Sequence, residues 1–184
     1  MSSELSILGF SGSLRQGSYN CALLRAAQEM VPSEAKVECF DLAGIPLFNQ
    51  DMEKHPLEKV KEFKAAIRAA DALLIATPEY NYSIPGVLKN ALDSASRPYG
   101  DNAMNGKPVA IMGASVGMLG TARAQYHLRQ CCVTLNMYPL NRPEVMVPFA
   151  HEKIDAKGNL TDPATRELIA KLVEALIIWT RRLK

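Results

Sequence analysis

Two stretches constrain the fold of this chain more than any others: "DALLIATP" (71–78) and "PVAIMGAS" (108–115). Each is a continuous apolar run of the kind that is buried on both faces of a parallel sheet. The segments around them carry the other period. Val60, Phe63, Ile67 and Ala70 recur at helical spacing within 57–70. After Asp162 and Pro163, which open a terminal helix, Leu168, Leu172 and Leu176 join Ile169, Val173 and Ile177 in a broad apolar face.

The rest of the chain keeps this alternation. "LSILGF" (5–10) reads as a first strand, followed by a helix from about Asn20 to Met30, and "KVECFDL" (36–42) as a second strand. A helix is expected from Pro85 to Ala95, with the proline near its first turn. Another is expected up to about Val133, with Thr121 as its cap, and "EVMVP" (144–148) reads as a short fifth strand. Five strands alternating with five helices predict an α/β three-layer sandwich around a five-stranded parallel sheet. Right-handed crossovers favour the flavodoxin-like order 2-1-3-4-5.

Size and charge narrow the function. A length of 184 residues, 48% hydrophobic and 22% charged, suits one domain spanning 1–184 with a core that needs no staples. A net charge of +2 without a lysine-rich block gives no case for nucleic acid. No apolar run approaches the roughly 18 residues that span a bilayer, so no membrane partner is expected. "MSSELSILGF", with an acid at Glu4, is not a secretory signal. Cys21, Cys39, Cys131 and Cys132 lack CxxC spacing and read as reduced thiols, and His55, His127 and His151 lack metal-ligand spacing. The expectation is a cytoplasmic protein without a bound metal.

In an open sheet of this order the ligand crevice lies beyond the carboxyl ends of strands one and three. The loops that can line it, 11–19, 78–84 and 115–121, are also the most unusual stretches of the chain. In "SGSLRQGSYN" (11–20), Ser11, Ser13 and Ser18 offer hydroxyls, Asn20 an amide and Arg15 a charged fork, ahead of a helix N-terminus. That makes a phosphate cradle, though neither a P-loop nor a dinucleotide fingerprint. The alternative is a solvated turn with Ser18 as an ordinary N-cap. "TPEYNYSIPG" places Glu79, Tyr80, Asn81 and Tyr82 between two prolines. It is either a stiff edge for a flat heteroaromatic ring or a turn covering a helix end. "GASVGMLGTAR" supplies Gly113, Gly117 and Gly120, which let backbone approach a ligand closely. An anionic tail at the first loop and a planar ring at the other two describe a mononucleotide, and FMN fits best.

"GSLRQGSYN", "PEYNYSIPGVLKNALDSASRP" and "SVGMLGTARAQYHLR" resemble the NADPH-dependent FMN reductase family over roughly residues 5–150. The resemblance implies a flavodoxin-like fold, non-covalent FMN, and NAD(P)H as co-substrate. It also implies a small-molecule electron acceptor (a quinone, chromate, an azo compound or free flavin) and assembly as a homodimer or homotetramer. By the same resemblance Ser11, Ser13, Arg15, Ser18, Tyr19 and Asn20 would hold the FMN phosphate. Pro78, Glu79, Tyr80, Asn81 and Tyr82 would flank the isoalloxazine and ribityl, and Ser115, Gly117 and Gly120 would approach the pyrimidine side. Ser94 stands where many relatives carry an aromatic residue. No catalytic side chain is expected, because hydride transfer takes place at the flavin N5.

Three rival readings share the topology. An FMN electron carrier would lack NAD(P)H turnover and would usually show a one-signed docking surface, whereas the charges here nearly balance. A receiver domain needs acids where this chain has Ser11–Gly12 and Thr77–Pro78. A flavin-independent nucleotide module differs only in what the cradle holds. On the fourth helix Arg123, Tyr126 and Arg129 form either a solvated face or a subunit interface, with Glu144 as a partner for the arginines.

Overall fold

In a computed structural model that describes residues 4–184, every strand pairs in parallel with its neighbours. Residues 1–3 of the stretch read as no secretory signal lie outside the described residues. The strands are β1 (Leu5–Ser11), β2 (Ala35–Phe40), β3 (Ala72–Ala76), β4 (Pro108–Ala114), β5 (Tyr138–Pro139) and β6 (Val145–Val147). The helices are α1 (Tyr19–Met30), α2 (Glu58–Ala69), α3 (Gly86–Ala95), α4 (Ala122–Thr134), α5 (Ala150–Lys153) and α6 (Pro163–Leu183).

The sheet runs β2-β1-β3-β4-β5, the flavodoxin-like order, with β6 also paired to β4. Period-two alternation explains the apolar runs. Ile7, Leu74, Ala110 and Met112 pack on one side, with Leu23 and Ala27 of α1 and Leu172 and Leu176 of α6. Leu8, Phe10, Leu73, Ile75, Val109 and Ile111 pack on the other, with Phe63 of α2, Leu88 of α3 and Leu128 of α4. Phe10 meets Phe63 edge-on with ring centroids 5.3 Å apart.

The strand count needs correction. The strand expected at 144–148 is present as β6, a further two-residue strand, β5, precedes it, and both add to β4. Tyr138 and Pro139 pair with Pro108 and Val109, whereas Val145–Val147 pair with Met112–Ala114. Pro139 has no N–H to extend the ladder, and after Leu140 donates to the Val109 carbonyl at 2.8 Å the chain leaves the sheet before returning. The short helix α5 and a 3₁₀ turn at Gln50–Met52 were also not expected.

Thr121 does not cap α4 with its side chain. Its buried hydroxyl accepts from Gln125 Nε2 at 3.0 Å instead. Asp162 does cap α6, accepting from the Thr165 amide at 2.8 Å.

Candidate functional site

The three unusual loops stand on one rim of the sheet and are tied together in pairs. β1 and β3 run side by side to their ends, with Ser11 opposite Ala76, and the Gly12 amide donates to the Ala76 carbonyl at 2.9 Å. That joins the first loop to the second. Asn20 joins the first to the third: its Nδ2 donates to the Ala114 carbonyl at 3.1 Å, and its Oδ1 accepts the Ala114 amide at 2.9 Å. Glu79 joins the second to the third. Its carboxylate accepts from the Arg123 amide at 3.0 Å and the Ala124 amide at 3.2 Å, and from the Arg123 guanidinium.

In the first loop the serine oxygens are already used as acceptors. Ser11 Oγ takes the Ser13 amide at 3.2 Å, and Ser18 Oγ takes the Cys21 amide at 3.4 Å as N-cap of α1. Ser13 Oγ takes the Arg15 amide at 3.4 Å. A hydroxyl that accepts from backbone keeps its own O–H free to donate. All three serines are largely buried, so those donors are fixed in place. Arg15 is exposed and its guanidinium stacks on the Tyr19 ring, 4.7 Å from the centroid. The first turn of α1 holds no acid, so its amide end stays electropositive. The loop is therefore rich in free donors and holds no carboxylate, which suits a phosphate monoester.

Asn20, which the resemblance places at the phosphate, is buried and braces the rim, with both ends of its amide engaged by Ala114. Glu79, read as flanking a ring, turns its carboxylate to α4 and supplies the cap that Thr121 does not. Local sequence gave no sign of this, because cap and helix lie 44 positions apart.

The second loop is a tight turn. Tyr80 and Ser83 exchange two backbone bonds of 3.0 Å, and Asn81 and Tyr82 between them have φ of 51° and 65°. Two consecutive left-handed residues define a type I′ turn. Pro78 is buried at its base, and Tyr80, Asn81 and Tyr82 are exposed.

In the third loop, Ser115 and Gly120 close on each other, the serine hydroxyl donating to the Gly120 carbonyl. Gly120 is glycine because of β6: at φ +59° a Cβ there would lie 2.8 Å from the Met146 carbonyl carbon. It therefore packs against β6. Gly117 is exposed at the loop tip, between Val116, Met118 and Leu119, which are exposed as well. Sequence reasoning passed over these three apolar tips. They share the rim with exposed Leu14, Tyr80 and Tyr82.

On α4, Glu144 accepts from the Tyr126 hydroxyl at 3.2 Å rather than pairing with the arginines. Arg123 goes to Glu79, and Arg129 donates to the Leu140 carbonyl at 3.0 Å. The cysteines are free thiols, and burial pushes Cys132 up to about 12, out of reach of thiolate chemistry.

A flavodoxin-like sheet with a donor-rich loop at one end of its carboxyl rim and exposed rings and aliphatics at the other is the architecture of a flavodoxin-like mononucleotide-binding protein. The sequence profile of the NADPH-dependent FMN reductases matches residues 5–152, and the chain belongs to that family. It is thus an enzyme with FMN as cofactor and NAD(P)H as co-substrate.

Among its relatives is an NAD(P)H-dependent FMN reductase of Pseudomonas aeruginosa, 54% identical over 185 residues and covering 100% of both chains. A 2-hydroxy-1,4-benzoquinone reductase of Burkholderia is 45% identical, over 92% of this chain and 93% of the relative. The solved structure of FerB, an NAD(P)H:(acceptor) oxidoreductase of Paracoccus denitrificans, superposes with a TM-score of 0.88 at 33% identity, over 97% of this chain and 98% of that one. Among the described residues no helix is long and apolar enough to cross a membrane.

Proposed function

We propose that this protein, as one FMN-binding domain spanning 1–184, passes reducing equivalents from NAD(P)H to quinones by a ping-pong mechanism. The observation that carries the reading is the rim itself: a fixed set of anion donors and an open apolar edge, locked together by Asn20–Ala114, Glu79–α4 and the β1–β3 pairing. Ser11, Ser13, Ser18 and Arg15 would hold the phosphate, with the α1 amide end adding its dipole. The Asn81–Tyr82 turn and the loop around Gly117 would border the ring. FMN held there would supply the two-electron hydride chemistry between nicotinamide and acceptor.

The chain's own residues then have three tasks: to grip the tail, to orient the ring, and to leave one ring face open. An open face next to Tyr80, Tyr82 and Met118 suits flat apolar partners, and the nicotinamide and the quinone would occupy it in turn. A quinone acceptor is supported by the benzoquinone reductase among the relatives. We further propose a cytoplasmic homodimer or homotetramer, consistent with four unpaired thiols.

Two measurements test this. Purified protein should absorb near 370 and 450 nm, about where oxidised flavins do. Steady-state rates with NADPH and a benzoquinone should give parallel double-reciprocal lines, and intersecting lines would rule out alternation at one face.

A further inference from the structure

Helix α4 is held to the second loop by three side-chain contacts, through Glu79, Tyr82 and Ser83. The Glu79 carboxylate, with its side chain only 6% exposed, caps the α4 N-terminus and pairs with the Arg123 guanidinium. Arg123 in turn lies over the Tyr82 ring, 3.6 Å from its centroid. One helical turn further on, His127 Nδ1 sits 3.0 Å from Ser83 Oγ. Residues at i and i+4 share a helix face, so α4 grips the turn at its second central residue and at its closing residue.

The turn needs support. Asn81 tolerates a left-handed backbone, but Tyr82 at φ 65° does not do so readily, and a residue in such a region persists only where its surroundings hold it. Tyr82 is 66% exposed, so little of the core packs on it, and the Arg123 guanidinium lies against its ring.

We propose that Glu79 and Arg123 are positioning residues, a strut that holds the Asn81–Tyr82 turn in its left-handed form at the flavin rim and so sets flavin affinity and the geometry around the ring. The inference rests on the FMN reading above. Glu79 sets Arg123, Arg123 sets Tyr82, and the turn presents its backbone to the ring. In this scheme neither residue of the strut touches the cofactor.

The test uses full-length protein stripped of flavin and titrated with FMN by fluorescence quenching, alongside thermal unfolding and visible circular dichroism of the reloaded protein. Glu79→Gln keeps an oxygen for the α4 amides and removes the charge that holds Arg123. Arg123→Lys keeps the charge and removes the planar face over Tyr82. Each should weaken FMN binding about tenfold and change the visible dichroism of the bound flavin. The double variant should be no weaker than the worse single one, as expected of one strut. Asp162→Ala, which removes the cap of α6 on the opposite layer, serves as the control: its Tm should fall with FMN affinity unchanged.

If both variants match wild type in affinity and dichroism, the strut is refuted while the FMN reading stands. Affinity that tracks Tm equally in all three variants, Asp162→Ala included, would also refute the strut. Wild-type protein that does not bind FMN overturns both readings. Arg123→Lys retains a charge for Glu79, so it keeps the test decisive should Glu79→Gln fail to fold.

Discussion

Asn20 and Ala114 are joined by two hydrogen bonds, one to each backbone group of Ala114, at 3.1 and 2.9 Å. β3 ends at Ala76, opposite Met112, so beyond that point the Asn20 amide takes the place of a strand neighbour for β4. Asn20→Ala leaves buried donors and acceptors without partners, at about 1–3 kcal/mol per group. The expected result is a Tm lower by roughly 5–10 °C in thermal unfolding, with weaker FMN retention because two loops of the rim separate. A Tm within about 1 °C of wild type would mean that the brace is redundant.

Arg15 is exposed and makes no ion pair among the described residues, so its removal should leave the fold intact. Arg15→Ala should raise the FMN Kd by about ten- to a hundredfold, the range of a charge-assisted hydrogen bond, with the unfolding midpoint of flavin-free protein unmoved. Fluorescence titration reads the first and calorimetry the second. An unchanged Kd would remove Arg15 from the cradle.

Gly113 marks the closest approach of β4 to its neighbours. A Cβ there would lie 2.0 Å from Thr121 Oγ1 and 2.3 Å from the Thr77 carbonyl oxygen. Thr121 cannot yield freely, because its buried hydroxyl also holds Gln125. Gly113→Ala should therefore destabilise by about 1–3 kcal/mol, read as a lower urea midpoint. Full stability would mean that the strand shifts at no cost.

Asp162 carries a pH prediction. The Thr165 hydroxyl and amide bonds hold its carboxyl below the usual carboxylate range. A carboxyl depressed in the folded state adds stability that is present above its unfolded pKa, about 3.9, and is lost as pH falls through the folded value. Asp162→Asn keeps a capping oxygen and removes the charge, so it should be less stable than wild type at pH 7 by about 0.3–1 kcal/mol, and the gap should shrink as pH falls below about 4. A gap that persists at pH 2 would exclude the ionised cap as its cause.

The layers and strand order were legible in the sequence because both are written in local periodicity. Leu73–Ile75 and Val109–Ile111 alternate between two buried faces, and few connections suit such runs. The serine-rich loop was legible for the same reason: strand exit, donors and helix start are consecutive.

What escaped was long-range. The Asn20–Ala114 brace spans 94 positions and the Glu79 cap of α4 spans 44, so neither contact is written in local sequence. β5 left no local signature, because a two-residue strand has no period to read.

The two short strands beside β4 bear on how the protein behaves in a crowded solution. A long unpaired border is a template on which another chain can assemble, the route to fibrils and inclusion bodies. Here β4 is flanked by pieces of two and three residues, one containing a proline and both separated by a departure from the sheet. Neither offers enough consecutive free amides for a foreign strand to add in register, so this margin resists aggregation by its shape rather than by charge.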